Sequence, residues 1–176
     1  MTNRTILGLA LVAMPLAALF MPVVGRGVVA AMTLHELTTS SDVIVLGIVV
    51  DLNPVADDMV ATAQVSEAWK GSVGPTIKFH ARRTWPCDIT HANVGETAIL
   101  FLTRRDSTDP MTLANWGRGR LVVKTIDEVP YVGDRYRTLK VMDEMPIKWQ
   151  FGTSDIPEPW AKVEDVKAYV KRTLAP

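Results

Sequence analysis

The chain has 176 residues, 48% of them hydrophobic, with 19 basic residues against 19 acidic ones. That length suits one compact domain plus a targeting segment, and the basic pairs at 82–83 and 104–105 are too short and separate to make the clustered positive surface that nucleic-acid binding requires. Cys87 is the only cysteine, which excludes an intramolecular disulfide and leaves the fold to rest on its apolar core.

Thr5 to Gly25, TILGLALVAMPLAALFMPVVG, carries no charge and follows Arg4, the layout of an export signal. Val29 and Ala31, or Val28 and Ala30, suit the −3 and −1 positions of a peptidase site, with a mature start near Ala31 or Met32. The same run approaches the roughly 20 residues of a membrane span, so a retained anchor in the inner membrane is the alternative; Pro15, Pro22 and Arg26 favour cleavage. Either way the location is extracytoplasmic, periplasmic or secreted, and membrane contact is expected only through residues 5–25 if they are kept. Residues 1–31 are assigned to this segment and 32–176 to a single domain. Loss of 1–31 removes Arg4 and Arg26 and no acid, so 19 basic residues against 19 acidic become 17 against 19.

Thr33 followed three residues later by Glu36 has capping-box spacing and predicts a short helix ending near Ser40. Asp42–Leu52, DVIVLGIVVDL, predicts a strand buried on both faces and bent at Gly47, with NPVADD as the turn. From Met59 the apolar residues alternate, so Met59, Ala61, Ala63, Val65 and Trp69 are expected on one face of a second strand. TIKFHA at 76–81 predicts a third strand with Ile77 and Phe79 opposite Lys78 and His80; residues 82–95 read as a loop, and ETAILFLTR at 96–104 as a strand without a wet face. Residues 111–133 suggest two or three short strands, 135–160 show no sustained period, and Val163, Val166, Val170 and Leu174 mark an amphipathic C-terminal helix with Pro159 near its start. The sum is a mainly β chain of five or six strands with a short helix at one end and an amphipathic helix at the other, a small barrel or sandwich.

LHELTTSSDVIVLGIVV, then a strand ending VSEAWKG, a cysteine in a loop, and VGETAILFL together resemble exported bacterial proteins of the netrin-like module, shared with tissue inhibitors of metalloproteinases. The match covers roughly residues 33–103. The resemblance implies a five-stranded OB-type Greek-key barrel with a helix beside it, a scaffold used mostly for binding. It also implies that Cys87 occupies a position where the family's cysteine has a disulfide partner that this chain lacks. Inhibition does not carry over: it depends on a cysteine at the mature N-terminus, and none stands near Ala31 or Met32.

The chemistry-bearing stretch is RTWPCDITHANVGE, with His80 just before it. His80, Cys87 and His91, with Asp88 as a possible fourth ligand, could be drawn as a metal site, but the paired spacing of structural zinc sites is missing. Cys87 with His91 and Asp88 or Glu96 could be drawn as a nucleophilic set, though no signature surrounds the cysteine. Cys87 as a small apolar plug, or as a bridge to a partner protein, needs less. Tryptophans beside arginines, Trp85 near Arg82 and Arg83 and Trp116 near Arg118 and Arg120, could form an amphipathic contact face; packing on the barrel ends and C-terminal helix is the plainer reading. Asp57–Asp58, Asp127–Glu128 and Asp143–Glu144 read as solvated turns. The expected function is a binding module, the balance of motifs being against an enzyme, with Arg83, Trp85, His91 and Trp116 as contact residues. A protein or cell-envelope component is the expected partner, and neither a cofactor nor nucleic acid is expected. A metal or thiol protein centred on Cys87 and His91, or an anchored structural envelope protein, are the alternatives.

Overall fold

The computed structural model describes residues 32–56, 58–81, 92–104, 110–115, 118–133, 145–151 and 157–176. The first element among the described residues is α1 (Leu34–Ser40), whose capping box is complete. Glu36 N–H donates to Thr33 Oγ1 at 3.1 Å while Thr33 N–H donates to Glu36 Oε2 at 2.7 Å. Such a cap is worth about 1 kcal/mol, and it starts a helix too short to stand alone. What holds it is the burial of Leu34 and Leu37.

Two long strands follow, β1 (Val43–Val55) and β2 (Asp58–Lys70), then β3 (Thr76–His80), β4 (Thr97–Thr103) and the two-residue β5 (Thr112–Leu113). The second half of the sheet is β6 (Arg120–Ile126), β7 (Val129–Gly133), β8 (Ile147–Phe151) and β9 (Pro157–Lys162), and α2 (Val163–Leu174) closes the chain. The strands pair antiparallel in the order β3-β2-β1-β4-β6-β7-β9-β8, with β5 beside β4. The mainly β chain with a helix at each end is therefore as expected, but the strand count is higher than five or six, and the path is open, ending in β3 and β8.

β4 is the wall between two cores. Ala98, Leu100 and Leu102 face a core lined by Val43, Val45, Val49, Ala61, Ala63, Ile77, Phe79, Met111 and Leu113. Ile99 and Phe101, alternating with them, face a second core between the sheet and the helices, with Leu34, Leu37, Ile44, Trp69, Val132, Val166 and Val170. Full burial of such side chains stabilises by about 1.5–3 kcal/mol each, so the alternation along one strand commits both faces at once.

A simple alternation fails on β2. The register with β1 slips three times: Leu46 faces Glu67 but Gly47 faces Val65, which leaves Ser66 as an extra residue. A one-residue bulge exchanges the faces of everything beyond it. Ala61, Ala63 and Val65 therefore belong to the first core, while Trp69 belongs to the second, not to the shared face the alternation suggests. Gly47 is needed beside this bulge, because a Cβ there would lie 2.7 Å from the Gln64 carbonyl oxygen.

Prolines account for two further departures. β1 continues through Asn53 and Pro54, where a turn was expected; there it pairs only with β2. β9 includes Pro157 and Pro159, which pair only with β8. A proline nitrogen is tolerated on the unpaired side of a strand, and both segments have one. Because β9 occupies 157–162, α2 starts at Val163 rather than near Pro159.

Candidate functional site

Residues 82–91 connect two anchored points of the first core. Ala81 is buried and donates its N–H to the Met59 carbonyl at 2.7 Å; Ala92 on the return side is also buried. Of the residues selected from the sequence, Arg83, Trp85, Cys87 and His91 lie outside the described residues, as does Trp116. The contact set and most of the metal set thus have no geometry here, and His80 is the one member that does.

His80 stands at the end of β3 with Phe79 and Ala81 turned into the core on either side of it. Its N–H donates to the Met111 carbonyl at 2.8 Å, and its imidazole Nδ1 is bonded to Asp58 Oδ2. The other Asp58 oxygen, Oδ1, accepts the Met59 N–H at 2.7 Å, so the carboxylate is itself held. Asp58 was expected in a solvated turn; it opens β2 and orients the histidine instead. A carboxylate on Nδ1 fixes the ring, and in the neutral form directs the lone pair to Nε2. The pair is partly open to solvent, with His80 and Asp58 side chains 39% and 29% exposed.

On the return side of the same connection, Glu96 and Arg120 form a buried ion pair. Arg120 Nη1 donates to Glu96 Oε1 at 2.8 Å, with both side chains at or below 10% exposure. Asn93 Nδ2 donates to the other Glu96 oxygen at 3.3 Å. The backbone is pinned too: Gly95 N–H donates to Val49 O at 2.7 Å and Val49 N–H to Glu96 O at 2.9 Å. The left-handed φ of 85° at Gly95 allows this tight return. Arg120 was one of the arginines that could flank Trp116 on a contact face; its position directly across from Leu100 and its burial assign it to the frame.

The connection is therefore built with an oriented, half-open imidazole at its start and a buried charge pair at its end. Asp58 and Glu96 have no motif around them, and their partners lie 22 and 24 residues away, so only the strand register reveals them. Among the described residues no three His, Cys, Asp or Glu gather as metal ligands. A comparison with family models finds no match, and none of the curated proteins compared with the chain is similar to it.

Proposed function

We propose that the chain is an exported, non-catalytic binding module on an OB-type barrel related to the netrin-like modules, using Arg83, Trp85, His91 and Trp116 to contact a protein or envelope component. The observation that carries this reading is the parallel bridge between Phe79 on β3 and Met111 beside β5. It is made by His80 N–H to Met111 O at 2.8 Å and Met111 N–H to Lys78 O at 2.9 Å. With β1 paired to both β2 and β4 and β5 paired to β4, this bridge supports reading the strands about the first core in the order β1-β2-β3-β5-β4, the order an OB barrel would have. Residues 82–91 leave directly after that bridge, and binding residues concentrate in loops carried on such a frame.

The test compares the unchanged protein with a variant carrying Arg83→Ser, Trp85→Ser, His91→Ser and Trp116→Ser in chemical cross-linking on envelope preparations. Loss of a discrete cross-linked species with an unchanged melting temperature supports the reading. Retention of the species in the variant overturns it. Export is tested separately, by N-terminal sequencing of the protein made in cells: a start at Ala31 or Met32 supports it, and a start at Met1 favours the anchored alternative.

A second reading, a metal or thiol site of His80, Cys87 and His91, is favoured by the Asp58–His80 pair, since metal-binding histidines commonly have a carboxylate behind the other ring nitrogen. Zinc and copper titrations of unchanged protein and of His80→Gln decide it. A saturable site lost in His80→Gln supports it, and its absence together with a thiol unreactive until denaturation overturns it.

A further inference from the structure

The outer face of β6, β7, β9 and β8 gathers basic residues that are far apart in sequence. Lys124 on β6 lies directly across from Tyr131 on β7, and Tyr131 directly across from Lys162 on β9. In the neighbouring row Gly133 faces Trp160, which faces Lys148 on β8. The alternate residues Leu121, Val132 and Ala161 point the other way, into the helix-covered core, so all three lysines share the outer face, and all three are exposed.

Two of the three heads lean inward over aromatic rings. Lys124 Nζ lies 5.1 Å from the centre of the Trp160 ring, and Lys148 Nζ lies 5.7 Å from the centre of the Tyr131 ring. Each ammonium thus leans inward from an outer strand over a ring on an inner strand, and Lys162 stands beside Tyr131 between them. Trp160 is buried, with its ring so close upon Gly133 that an added Cβ would come within 2.7 Å. Asp127 in the β6–β7 turn pairs with Lys148 at 3.3 Å, but it is 85% exposed and therefore well screened. Each lysine faces an aromatic residue across the ladder and none faces another lysine, so the face carries three positive charges without a direct cross-strand clash.

We propose that this face docks on the headgroups of an anionic phospholipid bilayer. Charge complementarity selects an anion, and three features select a lipid surface over a nucleic acid or glycan. The two rings are already covered by the chain's own lysines, so they cannot stack on bases or sugars. Lysine supplies compact point charges rather than the bidentate fork that reads a base edge. The half-buried Ile126 and Val129, paired at the end of the same face, add apolar surface suited to the interfacial region, where basic residues near the surface strengthen binding. This surface is separate from residues 82–91 and stands whether or not the contact set proposed above is correct.

The test is vesicle sedimentation of the full chain with phosphatidylcholine alone and with phosphatidylglycerol added, so that any contribution of residues 5–25 is common to all samples. Lys124→Gln with Lys148→Gln is compared with Lys78→Gln with Lys171→Gln, a charge-matched pair elsewhere. The expected result is binding that needs phosphatidylglycerol, falls with salt, and weakens by more than about tenfold in the first pair, at about fivefold per lysine, but not comparably in the second. Equal binding to both vesicle types, or equal loss in both pairs, overturns the proposal. Binding to inorganic polyphosphate without binding to vesicles also overturns it, by assigning the face to a soluble polyanion. Unchanged melting temperatures in the glutamine variants separate loss of docking from loss of folding.

Discussion

The two cores on either side of β4 are built differently. The first is lined by strands and made mostly of aliphatic side chains around the single aromatic Phe79, with many alanines, Ala61, Ala63, Ala81, Ala92 and Ala98 among them. The second is a sheet-on-helix layer with larger aromatic members, Trp69, Phe101 and Tyr169, and its edge is fastened by charge: Lys167 Nζ on α2 lies 2.9 Å from Glu67 Oε1 on β2. Small residues let paired strands approach closely, whereas a helix packed on a sheet leaves a gap that bulky side chains must fill. One strand serves both because its faces alternate strictly.

The sharpest way to break this arrangement is on β4 itself. Phe101→Ala is expected to cost about 3–5 kcal/mol and Leu100→Ala about 2–5 kcal/mol, one from each core. Because the wall is shared, urea unfolding of both variants should remain a single transition; two transitions in either would show the cores to be separately stable. Next comes the contrast between the two ends of residues 82–91. Glu96→Ala leaves a buried Arg120 charge without this partner and should cost about 3–5 kcal/mol, whereas Asp58→Ala, at a half-open pair, should cost under about 1 kcal/mol, as read from urea midpoints.

Smaller again is Gly133→Ala, which forces Cβ against the Trp160 ring and should destabilise by about 1–3 kcal/mol. Gly74→Ala, with its nearest non-neighbour atom 4.0 Å away, serves as the control and should shift the midpoint by no more than about 0.5 kcal/mol. The smallest effect lies at the charge latch of the second core. The Lys167 ammonium beside Glu67 holds its carboxyl below its ordinary value near 4.5. A depressed carboxylate contributes stability above that ordinary value and loses it as pH falls through the lower folded value. Glu67→Gln should therefore narrow the difference in urea midpoint between neutral and acid solution, and an undiminished difference would assign the acid sensitivity elsewhere.

Much of the frame was legible where local chemistry and burial agree. The Thr33–Glu36 box, the apolar run of β4, the inward Ile77 and Phe79 of β3 and the valine stripe of α2 could all be read from spacing, because each pattern is repeated within its own segment. β9 was not legible, since two prolines in six residues argue against a strand unless its unpaired side is known. The candidate site was less legible still. Asp58 and His80, or Glu96 and Arg120, meet only through strand register, and no local pattern encodes a contact more than twenty residues away. The same holds for Lys124, Lys148 and Lys162: a chain without a basic run can still gather lysines when three strands of one sheet each contribute one to the same face.

The bulge at Ser66 makes β2 behave like a signal with a phase jump. Deleting Ser66 would leave Glu67 directly after Val65 in the register they already have, with every downstream face kept. Drawing Ser66 into the ladder would instead remove the jump and set Glu67 through Lys70 in step with Ala63 and Val65. Trp69 would then turn toward the strand-lined core, and Lys70, whose Nζ donates to the Thr38 carbonyl at 2.8 Å, would swing away from α1. At this position the pairing of one residue decides the face of the four that follow it.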